Sequence, residues 1–563
     1  MNPRLSSPAI LGDHLPPSLS PVFLKLLEKK GFAEPVRLKQ FLSAGLNDLT
    51  DPFLMAGMTE ACRRLALAHE RREKVFIHGD YDVDGITGAA IVSHTLRLLN
   101  IPAESFLPER SRDGYGVSEE AIRKAARDGF KVLITVDCGV AALAEIKVAR
   151  ELGMDVIIID HHRISAEGLP EAAAILNPQR PDCTYPFKEL SAGGLAFKLS
   201  QALLGAKAFE LLDLAALSTV CDVAPLIEEN RILVKEGLKK LSTRPGVGLS
   251  ALVRSAGIKT TAINTGHLGF QLGPRINACG RMSTPDIALR LLLTDHEGEA
   301  VSLARVMEEE NKQRQQEERL TVKEALSEVE RTFHFNRDRV IVVARRGWHD
   351  GVIGIVAARL VDRYYRPAVV IALKEGGGKG SCRSIKGFNV YNALSESREF
   401  LEEFGGHEQA AGLSIQEDQV AAFRKKMNAY ALEHADPEIF IKKTMCDLEI
   451  GLEDLDAVFL EELTLLEPHG MGNPRPVFKT AGLKIKGRPW QKNIQTTQFW
   501  VTDGAKTCEA SFYAAEKDET LFQEGACVDL FYTVRTYTMA GIPGFSLEVK
   551  NISPSKPASI KME

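Results

Sequence analysis

The stretch HGDYDVDG, His78 to Gly85, sets three carboxylates, Asp80, Asp82 and Asp84, in one glycine-bounded turn directly after an apolar run, Val75-Phe76-Ile77. Like charges crowded in this way repel unless cations hold them. Any fold this chain adopts must therefore bring counter-charge to the end of that strand. Two-residue spacing puts His78, Asp80 and Asp82 on one face of an extended chain, and Gly85 is expected to let the chain turn so that Asp84 reaches the same point. A calcium loop of the DxDxDG kind is excluded, because the twelfth position counted from Asp80 is Ile91 rather than a bidentate Glu. Turn-forming or helix-capping roles suit a single Asp but leave three adjacent charges unexplained.

The pattern of apolar strand followed by acid or His recurs in KVLITVDCG with Asp137, in DVIIIDHH with Asp160, His161 and His162, and in LSTVCDVAPL with Asp222. The first two read as fully buried parallel strands, being short, β-branched and separated by helical sequence such as SEEAIRKAARDG and ALAEIKVARELG. Ligands gather at the carboxyl ends of strands in such a sheet, so these residues are expected to converge although they lie far apart in the chain. Oxygen donors with one or two imidazoles suit Mn2+ or Mg2+, whereas a closed zinc site wants thiolates at short spacing. Two divalent cations are expected, with Asp137 best placed to bridge ions about 3.5–4 Å apart for in-line hydrolysis of a phosphoester. Cys138 and Cys221 fall one residue off the ligand face and read as small packing residues.

These segments resemble the four motifs of the DHH phosphoesterase superfamily. Further on, GWHDGVIGIVAARL (Gly347 to Leu360), GKGSCRS (Gly378 to Ser384) and GGHEQAAG (Gly405 to Gly412) resemble its companion DHHA1 domain, in the expected order. Within the superfamily the chain is most similar, from about residue 50 to residue 553, to the bacterial exonucleases that degrade single-stranded DNA from the 5′ end. The resemblance implies metal ligation by Asp80, Asp82, Asp84, Asp137, His161 and Asp222, with His162 beside the scissile phosphate. His78, a ligand in smaller members, ranks below Asp80. Ser381, Arg383 and His407 are implied to face the metals and bind substrate phosphate. The implied activity is release of 5′-mononucleotides in DNA repair and recombination, with a single-strand-binding protein and a RecQ-type helicase as partners. The alternative is a small-substrate phosphoesterase of the same superfamily, acting on nano-RNA, cyclic dinucleotides or nucleotides. An inactive scaffold is disfavoured because an intact acid cluster is expensive to keep without metal.

Arg110 and Arg112, in PERSRDGYG, and Arg281, in RINACGRMS, are further candidates to grip phosphate, since a guanidinium matches phosphate oxygens and these loops are glycine-rich. GGGKGSCRS is not a P-loop, because Gly380 follows Lys379 and Leu373 stands at the first glycine position; its glycines suit a turn and close approach to substrate.

The expected architecture is α/β multidomain: an N-terminal helical segment (1–50), a parallel-sheet DHH domain (51–296), a long connecting helix (297–333), a smaller α/β DHHA1 domain (334–438), a C-terminal OB-type β-barrel (439–555) and a tail (556–563). The helix follows from helical spacing of apolar residues with no Gly beyond Gly298 and no Pro, around a wholly polar middle, EEENKQRQQEER, that should be solvated. The barrel follows from short alternating strands with glycine turns. Of its aromatics, Trp490, Trp500, Tyr532 and Tyr537 are the candidates to stack bases of a single strand. A net charge of −5 argues against a coating DNA-binding protein but leaves room for a local basic groove. Nine cysteines without CxxC pairs, and no signal peptide or apolar run near the roughly 20 residues of a membrane span, point to a cytoplasmic protein, and a monomer is expected.

Overall fold

Five short strands, Val75–Gly79 (β1), Ala103–Phe106 (β2), Val132–Val136 (β3), Asp155–Ile159 (β4) and Ala174–Leu176 (β5), pair in parallel in the order β2-β1-β3-β4-β5. The computed structural model describes residues 19–109, 116–260, 262–493, 496–513, 519–539 and 542–555. The central strands are apolar throughout because alternate side chains enter two separate cores. Val75, Ile77, Val132, Ile134, Ile157 and Ile159 pack on one face with the helices Val83–Leu98 and Ala192–Leu204. Phe76, Leu133, Val156 and Ile158 pack on the other with Glu119–Arg127 and Leu143–Glu151. The third expected strand is instead a helix, Leu212–Cys221, buried from Leu212 to Thr219. It packs against helices on more than one side, so it is apolar all round and carries no amphipathic period to separate it from a buried strand.

The chain forms two compact units, one of residues up to Glu308 together with those from Thr444 on, the other Glu309–Lys443. In the second, Ile341–Arg346 (β6), Ala368–Lys374 (β7), Gly377–Arg383 (β8), Glu403–Gly406 (β9) and Ala410–Ile415 (β10) make a sheet ordered β6-β7-β8-β10-β9. Only β6 and β7 run parallel, joined by the helix Asp350–Tyr364. The expected connecting helix is a single helix, Glu297–Thr332. Its polar middle is not wholly solvated. Asn311 and Arg314 are buried, with the Arg314 guanidinium donating to Asn311 Oδ1 at 3.0 Å and to Glu318 Oε2 at 2.6 Å.

Leu448–Glu449 (β11), Phe478–Asn493 (β12), Thr496–Thr502 (β13), Thr507–Tyr513 (β14), Cys527–Met539 (β15) and Ile542–Pro554 (β16) build the third sheet. Pairing of β12 with β15 closes it into a five-stranded barrel in which β14 and β16 run parallel, the OB arrangement. The N-terminal helices Pro21–Lys29 and Pro35–Ser43 are not a separate piece. Phe23, Leu26, Leu27, Leu38 and Phe41 share one core with Phe459, Phe478 and the barrel interior. Arg231, on the helix Glu228–Thr243, is buried and fastens this assembly. Its guanidinium donates to the carbonyls of Phe41, Leu465 and Leu466 and lies 4.0 Å from the Phe41 ring centroid.

Beneath the parallel sheet's helices, Lys198 and Glu229 form a buried ion pair at 2.8 Å, with Tyr185 donating to the same carboxylate and Lys198 also donating to the Thr50 carbonyl. Breaking one side of such a pair leaves an uncompensated charge, so Lys198→Met should cost about 3–5 kcal/mol in urea denaturation. A loss below about 1 kcal/mol would show the pair to be dispensable.

Candidate metal centre

The acids converge at the carboxyl ends of β1, β3 and β4. Asp80 follows β1, its amide donating to the Val136 carbonyl, and Asp82 caps the helix Val83–Leu98 by accepting from the amides of Asp84 and Gly85. Gly85 does not make the turn itself. It lies in the first helical turn, where an added Cβ would stand 2.5 Å from the Asp80 backbone, so its role is close approach. Asp84 is buried and fixed from the far side. It accepts from the amides of Ala192 and Gly193 at 2.8 Å each, at the start of the helix Ala192–Leu204, and from Ser218 Oγ. Helix N-termini favour anions, which makes Asp84 the best-anchored carboxylate of the cluster. Neither SAGG, Ser191 to Gly194, nor Ser218 is among the residues the motifs single out; a small-residue run opening a helix is the available signal.

Asp137 takes φ +63°, the left-handed region that Asp tolerates better than most residues, and its amide donates to the Ile159 carbonyl at 2.9 Å. Its Oδ1 stands 3.2 Å from His161 Nε2 and 3.9 Å from His162 Nδ1. His161 also lies 3.7 Å from Asp84 Oδ2 and 3.9 Å from Asp222 Oδ2. Three overlapping triads result: Asp80-Asp82-Asp137, Asp137-His161-His162 and Asp84-His161-Asp222. Asp222 arrives at the C-terminal end of a helix rather than of a strand. Among the described residues His78 belongs to none of these triads. It is fully buried inside β1 and its Nε2 accepts from the Ser118 amide at 3.0 Å.

Burial, then the charges of Asp84, Asp82, Asp80 and Asp160, hold the Asp137 carboxyl well above the ordinary carboxylate range. Burial and the same neighbours, Asp84 and Asp82, push Asp222 up to about 9, and burial with Asp84 raises Asp82. Asp137 Oδ1 is buried without a hydrogen-bond donor among the described residues. A cluster that cannot ionise alone, with an orphaned oxygen and an O/N donor set, fits Mn2+ or Mg2+. The sign of the pH effect follows. The metal-free native state holds protons on these acids that the unfolded chain releases above about pH 4, so its stability falls as pH rises from about 5 towards 9. Mn2+ requires the ionised acids, so the increase in Tm on adding saturating Mn2+ should be larger at pH 8 than at pH 5.5. A larger increase at the lower pH would contradict this electrostatic reading.

Asp160, beyond β4, is buried and works through its neighbour. It accepts from His162 Nδ1 at 2.7 Å and from the amides of His162 and Val140, fixing the imidazole. That hydrogen bond holds His162 up to about 9. Asp160→Asn should reduce turnover about 10–100-fold, the usual cost of losing an orienting partner. Cys138 is buried and Cys221 half-buried; burial pushes both thiols up, as packing residues require.

Arg110 and Arg112 lie outside the described residues. Arg281 is not in a loop but in the last turn of the helix Gly273–Met282. The preceding Gly280 approaches the Tyr81 carbonyl so closely that an added Cβ would be 2.8 Å from it, which sets this helix end beside the acid turn. In the second unit, Ser381 and Arg383 lie on β8, where Arg383 donates to Ser381 Oγ at 3.2 Å and to the Cys382 carbonyl. Gly354 of the helix Asp350–Tyr364 leaves them room, since a Cβ there would meet both side chains at 3.1 Å. His407 follows β9 and its amide donates to the Ala410 carbonyl. Gly376 and Gly377 make the turn into β8 at positive φ, whereas Gly378 and Gly380 give room to Ile371 and Leu413, a packing role rather than an approach to substrate.

On the barrel, Trp490 and Trp500 are 39% and 40% exposed on neighbouring strands, ring centroids 6.4 Å apart. Tyr537 is similarly exposed. Tyr532 is not available to a strand. It is fully buried in the barrel core with its hydroxyl bonded to Thr480, because it shares the inward parity of Val528 and Leu530 along β15.

The parallel sheet and the acid cluster at its carboxyl ends define a metal-dependent phosphoesterase of the DHH class. Family models agree along the chain: "DHH family, N-terminal domain" over residues 74–219, "DHHA1 domain" over 337–433 and "RecJ OB domain" over 446–551. The single-stranded-DNA-specific exonuclease RecJ of Bacillus subtilis is 44% identical over 81% of this chain, which spans 58% of that protein's length. RecJ of Escherichia coli is 33% identical, with 82% of this chain and 84% of that protein covered. The chain belongs to the RecJ family of single-stranded-DNA-specific exonucleases. A crystal structure of Thermus thermophilus RecJ in complex with Mn2+ matches with a TM-score of 0.82 at 27% identity, covering 98% of this chain and 78% of that chain; the Mg2+ complex matches at 0.76. Among the described residues no helix is long and apolar enough to cross a membrane.

Proposed function

We infer that this chain degrades single-stranded DNA from the 5′ end to 5′-mononucleotides, using two divalent cations. The observation that carries the two-ion reading is the sharing of Asp137 between the Asp80-Asp82 triad and the His161-His162 triad, with Asp84, His161 and Asp222 forming a third group. Asp80, Asp82 and Asp137 would hold one ion, and Asp137, Asp84, His161 and Asp222 the other. Bound there, the ions would polarise the phosphoryl group and activate water at neutral pH. The remaining work falls to the chain. The amides of Ala192 and Gly193 hold and aim the Asp84 carboxylate. Asp160 holds the Nδ1 proton of His162, which leaves the opposite ring edge to meet a phosphate oxygen. The exposed Trp490 and Trp500 offer stacking surfaces for a polymer, a feature without use in a small-substrate phosphoesterase. Calorimetric titration of metal-free protein with Mn2+ should give two sites per chain; a single site would overturn the two-ion reading.

A further inference from the structure

We propose that a cavity between the helix Glu228–Thr243 and the connector leading into the barrel is a phosphate pocket that takes a backbone phosphate of the bound single strand. The proposal rests on the strand-degrading function inferred above. The cavity has a volume of about 500 Å³, in the range of nucleotide-sized sites. Its lining includes Lys235, Lys239 and Ser242 from the helix, His469 and Arg475 from the connector, and Asn264. Lys235 and Lys239 stand four residues apart on one helical face, where like charges repel unless an anion joins them. Neither Lys235 nor Arg475 is ion-paired among the described residues, and the nearest acid to Lys239 is a distant one, Glu236 at 4.0 Å. Glu467 also lines the cavity, one acid against three cations.

A second observation concerns His469. Its Nδ1 is buried without a hydrogen-bond partner among the described residues. Burial, then Arg475, Lys30 and Arg231, hold its pKa down to about 4, so it is a neutral imidazole in a positive field. An anion in the cavity would relieve that field. The cavity also lies where a strand running from the metals to the barrel has reason to pass. The helix bearing the lysines begins six residues after Asp222, and Arg475 stands three residues before β12. The two segments are tied together by the Leu226 amide donating to the Met471 carbonyl and by Thr265 Oγ1 donating to the His469 carbonyl, each at 2.7 Å.

The test uses the full chain. Binding of 3′-labelled single strands about 16 nucleotides long is followed by fluorescence anisotropy in EDTA across a salt series, for wild type, Lys235→Gln and Lys235→Gln/Arg475→Gln, with Tm as the folding control and Lys239→Glu as an independent variant. The double variant should bind the strand about tenfold more weakly, and the slope of log affinity against log salt should flatten by about 0.7 for each phosphate no longer neutralised. Hydrolysis of a dinucleotide in Mn2+ should be unchanged. Folded variants with wild-type affinity and slope would overturn the pocket while leaving the exonuclease reading intact. Unchanged strand binding with lost inhibition by free 5′-mononucleotide would overturn the strand assignment in favour of a free nucleotide. Wild-type protein that neither bound nor degraded single strands would overturn the exonuclease reading and the pocket with it.

Discussion

Asp137→Ala should lower hydrolysis of single-stranded DNA by more than about a hundredfold, beyond the 10–100-fold that loss of a merely orienting residue costs. Asp137 is shared by two of the three triads, so its removal strips a donor from both proposed ion positions at once. Its carboxyl is also held far above the ordinary range by burial and by four neighbouring acids, so alanine relieves repulsion in the metal-free protein. Relief of repulsion offsets the strain of alanine at φ +63°, so loss of activity should come with a Tm in EDTA close to wild type and a cooperative transition, which separates a catalytic defect from unfolding. Retention of more than about a tenth of wild-type turnover would show that Asp137 is not a shared ligand.

Joint replacement of Trp490 and Trp500 by alanine should weaken binding of long single strands by about a hundredfold while leaving dinucleotide hydrolysis unchanged. Stacking contributes about 1–3 kcal/mol per base, and two half-exposed rings on adjacent strands offer two such platforms. Point substitution is a cleaner probe than deleting the barrel. The barrel core is completed by Phe23, Leu26 and Phe41, and Arg231 of the nuclease domain grips the connector, so a truncation near residue 440 would strip the N-terminal helices of their partners. Equal binding by the double variant and wild type would assign the indoles a packing role.

Much of this architecture is legible because the acid-bearing strands are short, β-branched and uninterrupted, so the sequence itself marks where their carboxyl ends fall. Asp80, Asp82, Asp84, Asp137, His161 and Asp222 do converge. What local pattern does not supply is direction of burial. His78 shares the strand parity of Asp80, yet β1 ends at Gly79 and the chain leaves the extended geometry, so His78 stays inside the sheet while Asp80 turns out. The helix ending at Asp222 is buried on all sides and therefore has no period to read. Tyr532 departs from expectation although a period of two is readable there, since it continues the inward series of Val528 and Leu530 and its aromatic ring is core rather than platform. The support for Asp84 from Ala192, Gly193 and Ser218, and the shared core of the N-terminal helices and the barrel, depend on long-range packing that no window of sequence contains.

The most direct measurement is digestion of single-stranded DNA labelled at its 3′ end, in Mn2+ or Mg2+, with the 5′ end free or blocked by a bulky group. Directional attack on the 5′ end predicts progressive shortening that needs the divalent ion, stops in EDTA, and is abolished by the 5′ block but not by a 3′ block. Cleavage that proceeded equally well on 5′-blocked strands, or without any divalent ion, would contradict a metal-dependent 5′-to-3′ exonuclease.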